Sequence, residues 1–322
     1  MSMKLYPLQF EPILKERIWG GTKLKNYLNK PIMSNSTGES WEISTVENDV
    51  SVVSNGVYKG KSLNDLINEF PEAILGTTVY AKFGKQFPLL FKYLDARDDL
   101  SIQVHPNDKL AKERHNSFGK TEMWYVMQAD ENARLILGFK KKSSAEEYVQ
   151  NLKNKTLLTI LDTKTVKQGE VYFLETGTVH AIGAGTLIAE IQQNSDITYR
   201  LYDFDRVDAN GNLRDLHIDL ALEAINYETV EAQKDYLKKE NVSNSLVDCR
   251  FFTTNIIPLN GEVKVNKSQN SFTVYMCVDG SFEMTINKET FQYCKGDTLL
   301  IPASLTDFQF NGQASILEIY IS

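Results

Sequence analysis

Cysteine, proline and excess positive charge are all scarce in this sequence of 322 residues. The three cysteines lack metal-binding spacing, and they fit buried thiols in a reducing compartment better than a disulfide framework. The net charge of −7 argues against nucleic acid as a partner, because phosphate backbones are bound by basic faces. A local basic pocket for a small anion remains compatible with this charge.

Long apolar runs are also missing, and the first 21 residues carry Glu11, Glu16 and Arg17. This segment therefore predicts neither a signal peptide nor a membrane span. We expect a cytoplasmic protein without a membrane partner. No feature of the sequence specifies an oligomeric state.

The remaining pattern predicts a mainly β protein with a small helical insertion. Short alternating or apolar runs are separated by glycine and asparagine turns, as is typical of strands. Helix-capping patterns occur at Ser62, Asn107 and Ser143, and a further helix is expected over residues 219–226. The chain length suits roughly two domains. The polar stretch 228–248 predicts a passage between them, and we divide the chain into residues 1–235 and 236–322.

The most informative stretch runs from Gly169 to Arg200 and has the pattern strand, turn, strand, turn, strand. Its chemistry-bearing residues are His180, Glu190 and Arg200, which we expect at strand ends of one antiparallel sheet. A histidine, a carboxylate and an arginine repeated in this way suit a functional site better than a core.

The spacing of Gly169, Glu175, Gly177 and His180 resembles the second metal-binding motif of the cupins, with Glu175 in the usual place of proline. Cupins are double-sheet jelly rolls. A second copy of the spacing starts at Gly296, with serine and aspartate in place of the turn glycine and the histidine. The resemblance implies two cupin barrels. We expect metal in residues 1–235 and a degenerate barrel without metal in residues 236–322; the alternative for the second copy is chance.

A candidate first motif lies upstream, where Ser101, Gln103 and His105 share one strand face. Glu122 follows His105 after seventeen positions, and with His180 the set comprises two histidines and one carboxylate. With the Gln103 oxygen as a neutral donor, this set fits a Zn²⁺ site that keeps room for water or substrate. The other two histidines, His115 and His217, lie in or beside predicted polar helices and are expected not to bind metal.

The motifs SIQVHPND, GKTEMWYV, GTVHAIG and EIQQNSDITYR, together with FPLLFKYLDA, resemble type I mannose-6-phosphate isomerase in its short bacterial form. This resemblance spans nearly the whole chain and implies a duplicated cupin with a helical insertion and zinc in one barrel. It implies one Zn²⁺ per chain, and it places the family's functional residues as follows: zinc ligands Gln103, His105, Glu122 and His180; catalytic residues Arg200, Lys120 and Glu190; substrate-binding residues Ser101, Lys120 and Arg200. One departure is that longer members have histidine and proline where this chain has Gly119 and Thr121.

The implied reaction interconverts mannose 6-phosphate and fructose 6-phosphate by moving a proton between C2 and C1 through an enediol. Lys120 and Glu190 are candidates for the acid–base group, Lys120 only if burial or the metal lowers its pKa. Arg200 can bind the phosphate or stabilise enediolate charge. The structural alternatives are a solvated Lys120, and an ion pair of Arg200 with Asp196 or Asp203.

Two other functions remain open at this point. The triad His105, Glu122 and His180 also suits an iron(II) cupin oxygenase. A non-catalytic sugar-phosphate sensor is the third possibility. Gln103, Lys120 and Arg200 favour a phosphorylated polar substrate over an oxygenase substrate.

Overall fold

Strands dominate the computed structural model, which describes residues 4–207 and 211–322. The first fourteen strands are β1 Ile13–Gly21, β2 Thr37–Ile43, β3 Thr45–Val46, β4 Asp49–Val50, β5 Leu89–Ala96, β6 Ile102–Val104, β7 Glu122–Ala129, β8 Arg134–Phe139, β9 Leu161–Thr165, β10 Val171–Leu174, β11 His180–Ile182, β12 Thr186–Gln193, β13 Tyr199–Tyr202 and β14 Gln233–Lys234. The remaining strands are β15 Asn244–Asp248, β16 Thr253–Asn266, β17 Thr273–Ile286, β18 Glu289–Cys294, β19 Thr298–Ile301 and β20 Asp307–Tyr320.

The helices are short and lie mostly between strands of the first half. They are α1 Lys23–Leu28, α2 Leu63–Glu69, α3 Pro71–Leu75, α4 Thr77–Phe83, α5 Asp108–His115, α6 Ala145–Lys153, α7 Leu157–Ile160 and α8 Ile218–Leu222. None of the described helices is long and apolar enough to cross a membrane.

Two sheets form the N-terminal jelly roll. One has the strand order β1-β2-β5-β12-β7-β10-β14, and the other has the order β13-β6-β11-β8-β9. Apolar side chains from both sheets, including Leu94, Trp124, Leu137 and Ile182, pack into one cluster between them. The outer face of the smaller sheet is covered by residues of α6, α7 and α8.

Strand register brings distant parts of the chain together inside this jelly roll. In the larger sheet Glu190 of β12 pairs with Lys92 of β5 on one side and with Trp124 of β7 on the other. In the smaller sheet Gln103 of β6 lies between His180 of β11 and Arg200 of β13. The expectation of a single sheet was therefore wrong. His180 and Arg200 belong to one sheet and Glu190 to the facing one, because the chain crosses between the sheets after β11.

The C-terminal sheet has the order β15-β16-β20-β17-β18, with β19 paired to β17. Its interior is filled by apolar side chains, among them Tyr275, Phe282, Phe308 and Phe310. Asp307, which occupies the histidine position of the degenerate motif, is exposed and accepts hydrogen bonds from Thr306 and Asn266. The fold is thus the mainly β, cupin-like arrangement that the sequence predicts. The boundary after residue 235 stays a prediction.

The two halves share one apolar cluster. Phe87 and Phe272 have ring centroids 4.7 Å apart across it, and Leu8, near the start of the chain, forms an isolated bridge with Leu300. Because these contacts join segments that lie far apart in the sequence, local patterns could not predict them.

Local capping signals were mostly confirmed. Ser62 forms a complete capping box at α2 with Asp65, and the Asn107 side chain caps α5. The cap of α6 is Ser144, one residue later than expected, and α8 is shorter than the predicted helix. The helix that begins after Ser62 ends before Pro71, and Pro71 then begins α3, where a missing N–H costs nothing.

All three cysteines are free thiols. Cys277 is buried and Cys249 is half-buried, but Cys294 is exposed. The expectation that every thiol is buried is therefore wrong, because Cys294 is exposed.

Candidate active site

Three side chains from three strands converge inside the N-terminal jelly roll. One ligand atom each from His105, Glu122 and His180 lies within 4.8 Å of the others, and all three residues are buried. His105 follows β6, Glu122 begins β7 and His180 begins β11. The Glu122 Oε1 atom is buried and has no hydrogen-bond partner within the described part of the chain. A buried, unpartnered carboxylate oxygen beside two imidazoles suits a metal ion, which would supply the missing interaction.

The two histidines are held so that the same nitrogen of each faces the cluster. His105 Nδ1 donates to the Ile197 carbonyl at 2.9 Å, and His180 Nδ1 donates to the Thr178 carbonyl at 2.8 Å. Each Nε2 is therefore left with a lone pair that points inward. Backbone carbonyls that fix the tautomer in this way are typical of metal-ligating histidines.

Burial keeps both imidazoles neutral. Together with the nearby Lys120 ammonium it lowers the pKa of His105 well below its ordinary value and that of His180 to about 4. Burial, reinforced by the Glu190 carboxylate, raises the pKa of Glu122 to about 7 although Lys120 lies against it. Neutral histidines are ready to bind a cation, and a further positive charge would favour the ionised Glu122.

Gln103 lies beside this cluster. Its side-chain amide is 3.2 Å from His180 Nε2. A half-turn about the last side-chain bond exchanges the amide nitrogen and oxygen. It would place Oε1 toward the cluster, as ligation requires. Gln103 therefore lies next to the cluster, and its role as a fourth donor stays a prediction.

Lys120 is buried, and its Nζ donates to the Glu122 carboxylate and to His105 Nε2, the latter at 3.0 Å. Burial opposes its charge, but Glu122 and Glu190 outweigh burial and raise the pKa of Lys120. A solvated loop lysine is therefore the wrong description. Lys120 could act as a free-amine base only if its pKa were lowered. The protein groups around it do not lower that pKa.

Glu190 is held on both sides within the larger sheet. Its Oε1 accepts from Trp124 Nε1 at 2.9 Å, and its Oε2 lies 3.2 Å from Lys92 Nζ. Burial opposes ionisation, but Lys120 and Lys92 lower the pKa of Glu190 to about 2. Glu190 is therefore a carboxylate at neutral pH, and both of its oxygens already have partners.

Arg200 is half-buried, and its buried Nε atom has no hydrogen-bond partner among the residues that the structure describes. One terminal nitrogen donates to the Asp215 carbonyl at 2.8 Å. Among residues 4–207 and 211–322, no ion pair to Arg200 is present, and Asp203 is engaged by Arg206 and Arg214 instead. Burial, followed by the charge of Arg214, lowers the pKa of the Arg200 guanidinium. The ion-pair alternatives for Arg200 are therefore not observed.

A cavity of about 530 Å³ adjoins these groups. Its lining includes the expected Ser101, Gln103, Lys120, Glu190 and Arg200, and it adds further cationic residues: Lys15, Arg17, Lys92 and Arg214. A larger cleft of about 1230 Å³ meets this cavity only at Asp196 and is lined by neither Gln103 nor Lys120. We assign the chemistry to the smaller cavity, because Gln103 and Lys120, which contact the clustered ligands, line it together with Arg200.

Several lining residues were not foreseen. Lys92 lies in the middle of an apolar strand, and a charged residue at such a position was a usable signal. Glu39 and Trp41 share a strand face, and Glu39 accepts from Trp41 Nε1 and from Arg17 Nε. The Lys92 ammonium lies over the Trp41 ring, with Nζ 4.9 Å from the ring centroid. These residues contact one another and line the same cavity as Gln103 and Lys120.

The other histidines lie outside the three-residue cluster. His115 Nε2 is 2.9 Å from the Tyr199 hydroxyl, and His217 Nδ1 accepts from the Arg200 backbone N–H at 3.1 Å. Neither belongs to the group of potential metal ligands found in the described part of the chain.

A buried two-histidine, one-carboxylate cluster inside a jelly roll, beside a cation-lined cavity, defines a cupin with a candidate metal centre. Comparisons with known proteins show which cupin family the chain belongs to. The model of the type I phosphomannose isomerase catalytic domain matches residues 7–136, and that of the mannose-6-phosphate isomerase cupin domain matches residues 243–321. The chain belongs to the type I mannose-6-phosphate isomerase family.

Individual relatives agree with this assignment. The chain is 38% identical to mannose-6-phosphate isomerase ManA of Bacillus subtilis, covering 99% of this chain and 100% of the relative. It is also 38% identical to the mannose-6-phosphate isomerase of Streptococcus mutans, covering 97% of each. The crystal structure of the mannose 6-phosphate isomerase from Bacillus subtilis superposes with a TM-score of 0.91 at 35% identity, over 98% of this chain and 100% of that one.

Proposed function

We propose that this protein is a zinc-dependent aldose–ketose isomerase that interconverts mannose 6-phosphate and fructose 6-phosphate through an enediol. The observation that carries the proposal is the buried His105, Glu122 and His180 cluster, whose neighbours Gln103 and Lys120 line a cavity together with further cationic side chains. The curated relatives with full-length similarity are named for this reaction.

One Zn²⁺ per chain would be held by His105, Glu122, His180 and Gln103. Nitrogen and oxygen donors of this kind suit zinc, and four protein donors can still leave a position for a sugar oxygen when coordination expands. The ion would supply Lewis-acid polarisation of the sugar oxygens. The apolar and aromatic filling of the C-terminal sheet supports a single metal site.

The phosphate group is assigned to the arginine side of the cavity. The free Nε edge of Arg200 offers donors in a planar fork, and Arg214 lies close enough to lower the Arg200 pKa by repulsion. Arg214 is itself paired with Asp203, so Arg200 is the guanidinium assigned to the phosphate. Ser101, which is buried and lines the same cavity, would bind a sugar or phosphate oxygen.

Lys120 is assigned the role of proton donor to a sugar oxygen, because its neighbours keep its ammonium charged. If the lone pair of His105 Nε2 were bound to the metal, it would no longer accept a hydrogen bond from Lys120. The hydrogen on Lys120 Nζ would then be available to the substrate. Glu190 would orient the Lys92 ammonium into the cavity. It is also the candidate carboxylate for proton movement, although its low pKa makes it a weak base.

The test is a coupled assay of mannose 6-phosphate turnover on protein purified without chelator, together with metal analysis. Turnover with bound zinc supports the proposal. Bound iron with oxygen consumption would support a cupin oxygenase, and binding of the sugar phosphate without turnover would support a sensor. The sugar phosphate is the expected partner, and the free cysteines support a reducing compartment, the cytoplasm, as its location.

A further inference from the structure

The segment Gly119–Lys120–Thr121 carries the candidate proton donor and is unusually well tied down. Its three consecutive backbone N–H groups all donate. Gly119 donates to Asp108 Oδ1 at 2.9 Å, Lys120 to the Pro106 carbonyl at 3.3 Å, and Thr121 to Gln193 Oε1 at 2.9 Å. Two of the three acceptors are thus the side chains of Asp108 and Gln193. The alternation of a strand requires neither of these residue types.

Gln193 and Asp108 act on this segment as one unit. Gln193 is buried, its backbone N–H donates to the Thr121 carbonyl, and its Nε2 donates to Asp108 Oδ1 at 2.9 Å. A single Asp108 oxygen therefore receives both Gly119 N–H and the Gln193 amide. The Gln193 side chain continues the pairing of β12 with β7 for one residue beyond the last paired residues, Gln192 and Glu122.

The sequence of the segment matches this arrangement. A Cβ atom on residue 119 would lie 2.7 Å from the Asp108 nitrogen and 2.8 Å from the Asn107 carbonyl carbon, so glycine is required for the close approach of α5. Thr121 has an N–H to donate, which a proline would lack. Gly119 and Thr121, which depart from the pattern of longer family members, are therefore the residues that make the two side-chain bonds possible.

We propose that Asp108 and Gln193 are positioning residues that fix the backbone of Lys120 and, through it, the place of its ammonium between His105 and Glu122. The proposal rests on the function assigned to Lys120 above. Lys120 Nζ reaches both His105 and Glu122 on a flexible four-carbon stem, so a shift of the backbone would require another rotamer to keep both contacts. Positioning matters because a catalytic group displaced by about 1 Å can lose about a hundredfold in rate.

The test compares four variants of the full-length, metal-loaded protein. Gln193→Leu and Asp108→Ala remove the side-chain acceptors, and we expect each to lower kcat by about ten- to a hundredfold while bound metal is unchanged and KM changes less than kcat. Asp108→Asn keeps an oxygen that can accept from Gly119 and Gln193, and it should restore kcat to within about threefold of wild type. Asn107→Ala is the matched control. It removes the hydrogen bond from Leu110 N–H at the start of the same helix but touches neither Gly119 nor Thr121.

Hydrogen exchange followed by mass spectrometry on peptides containing residues 119–121 gives a readout that does not depend on activity. We expect faster exchange there in Gln193→Leu and Asp108→Ala, and wild-type exchange in Asp108→Asn and Asn107→Ala. Wild-type kcat or unchanged exchange in Gln193→Leu and Asp108→Ala would overturn the proposal. An equal loss of kcat in Asn107→Ala would also overturn it, because general loosening of α5 would then explain the effect. If the wild-type protein fails to convert mannose 6-phosphate, the proposed function fails, and the exchange experiment still decides whether the two side chains hold the segment.

Discussion

Replacing Arg200 by lysine tests the assignment of the phosphate side of the cavity. The substitution keeps one positive charge on β13 but removes the planar fork. In the structure one terminal nitrogen of Arg200 is engaged by the Asp215 carbonyl, while Nε has no partner and no carboxylate lies within ion-pair distance among the described residues. The Nε edge of the guanidinium therefore lacks a partner among the described residues, and a lysine ammonium cannot reproduce the planar geometry with which that edge would bind an anion.

The expected loss of kcat/KM corresponds to one hydrogen bond to the anion, which arginine can form and lysine cannot. Removal of one charge-assisted hydrogen bond costs about 1.5–3 kcal/mol, which corresponds to about ten- to a hundredfold in kcat/KM. Bound metal should be unchanged, because a guanidinium is not a ligand. A decrease well beyond a hundredfold would indicate that Arg200 also stabilises charge in the transition state.

The assay couples fructose 6-phosphate formation from mannose 6-phosphate to a spectrophotometric readout, with metal analysis of the same samples. Arg97→Lys is the matched control, since Arg97 pairs with Asp98 on the surface and does not line the candidate cavity. The reasoning is refuted if Arg200→Lys keeps wild-type kcat and KM. Arg200 would then serve the fold through Asp215, and the phosphate would have to be bound elsewhere.

Three further outcomes are expected. His105→Ala and His180→Ala should each lose metal, whereas His115→Ala should retain it; metal analysis that finds His115 required would contradict the assigned cluster. Chelation should abolish turnover and Zn²⁺ should restore it at one ion per chain; full activity of the apo protein or two ions per chain would disprove the single-site assignment. Burial lowers the pKa of Lys267 to about 8, below its ordinary 10.5, so the unfolded chain binds more protons between these values. The stability of the wild type relative to Lys267→Met should therefore rise from about pH 8 to about pH 10.5 in urea titrations, and a difference independent of pH would show that Lys267 is not desolvated.

His217, like His115, is expected not to bind metal, but the structure connects His217 to Arg200. Its Nδ1 accepts from the backbone N–H of Arg200. A substitution at His217 could displace Arg200, so only the metal content of such a variant remains a clear control.

Features encoded over short stretches of chain were open to prediction from the sequence. The alternation that puts Gln103 and His105 on one face, and the glycine-bounded turn before His180, are local, and they pointed to side chains that the structure brings together as a cluster. The caps at Ser62 and Asn107 are likewise set by a side chain and an N–H only three residues apart. The family follows from these same motifs, which the full-length relatives confirm.

The polar surroundings of the candidate ligands depended on tertiary structure. Lys92 meets Glu190 only because β5 pairs with β12, nearly a hundred residues later, and Gln193 reaches Asp108 only because β12 ends where α5 begins. Whether Lys120 is charged, and whether Arg200 is free, likewise depended on which carboxylates those pairings bring near. Local periodicity records which face a residue occupies but carries no information about its partner across a sheet, since register arises from the packing of the whole core. The sequence by itself therefore determined the candidate ligand set and the family. The long-range strand pairing decided whether Lys120 is charged and whether Arg200 is paired with a carboxylate.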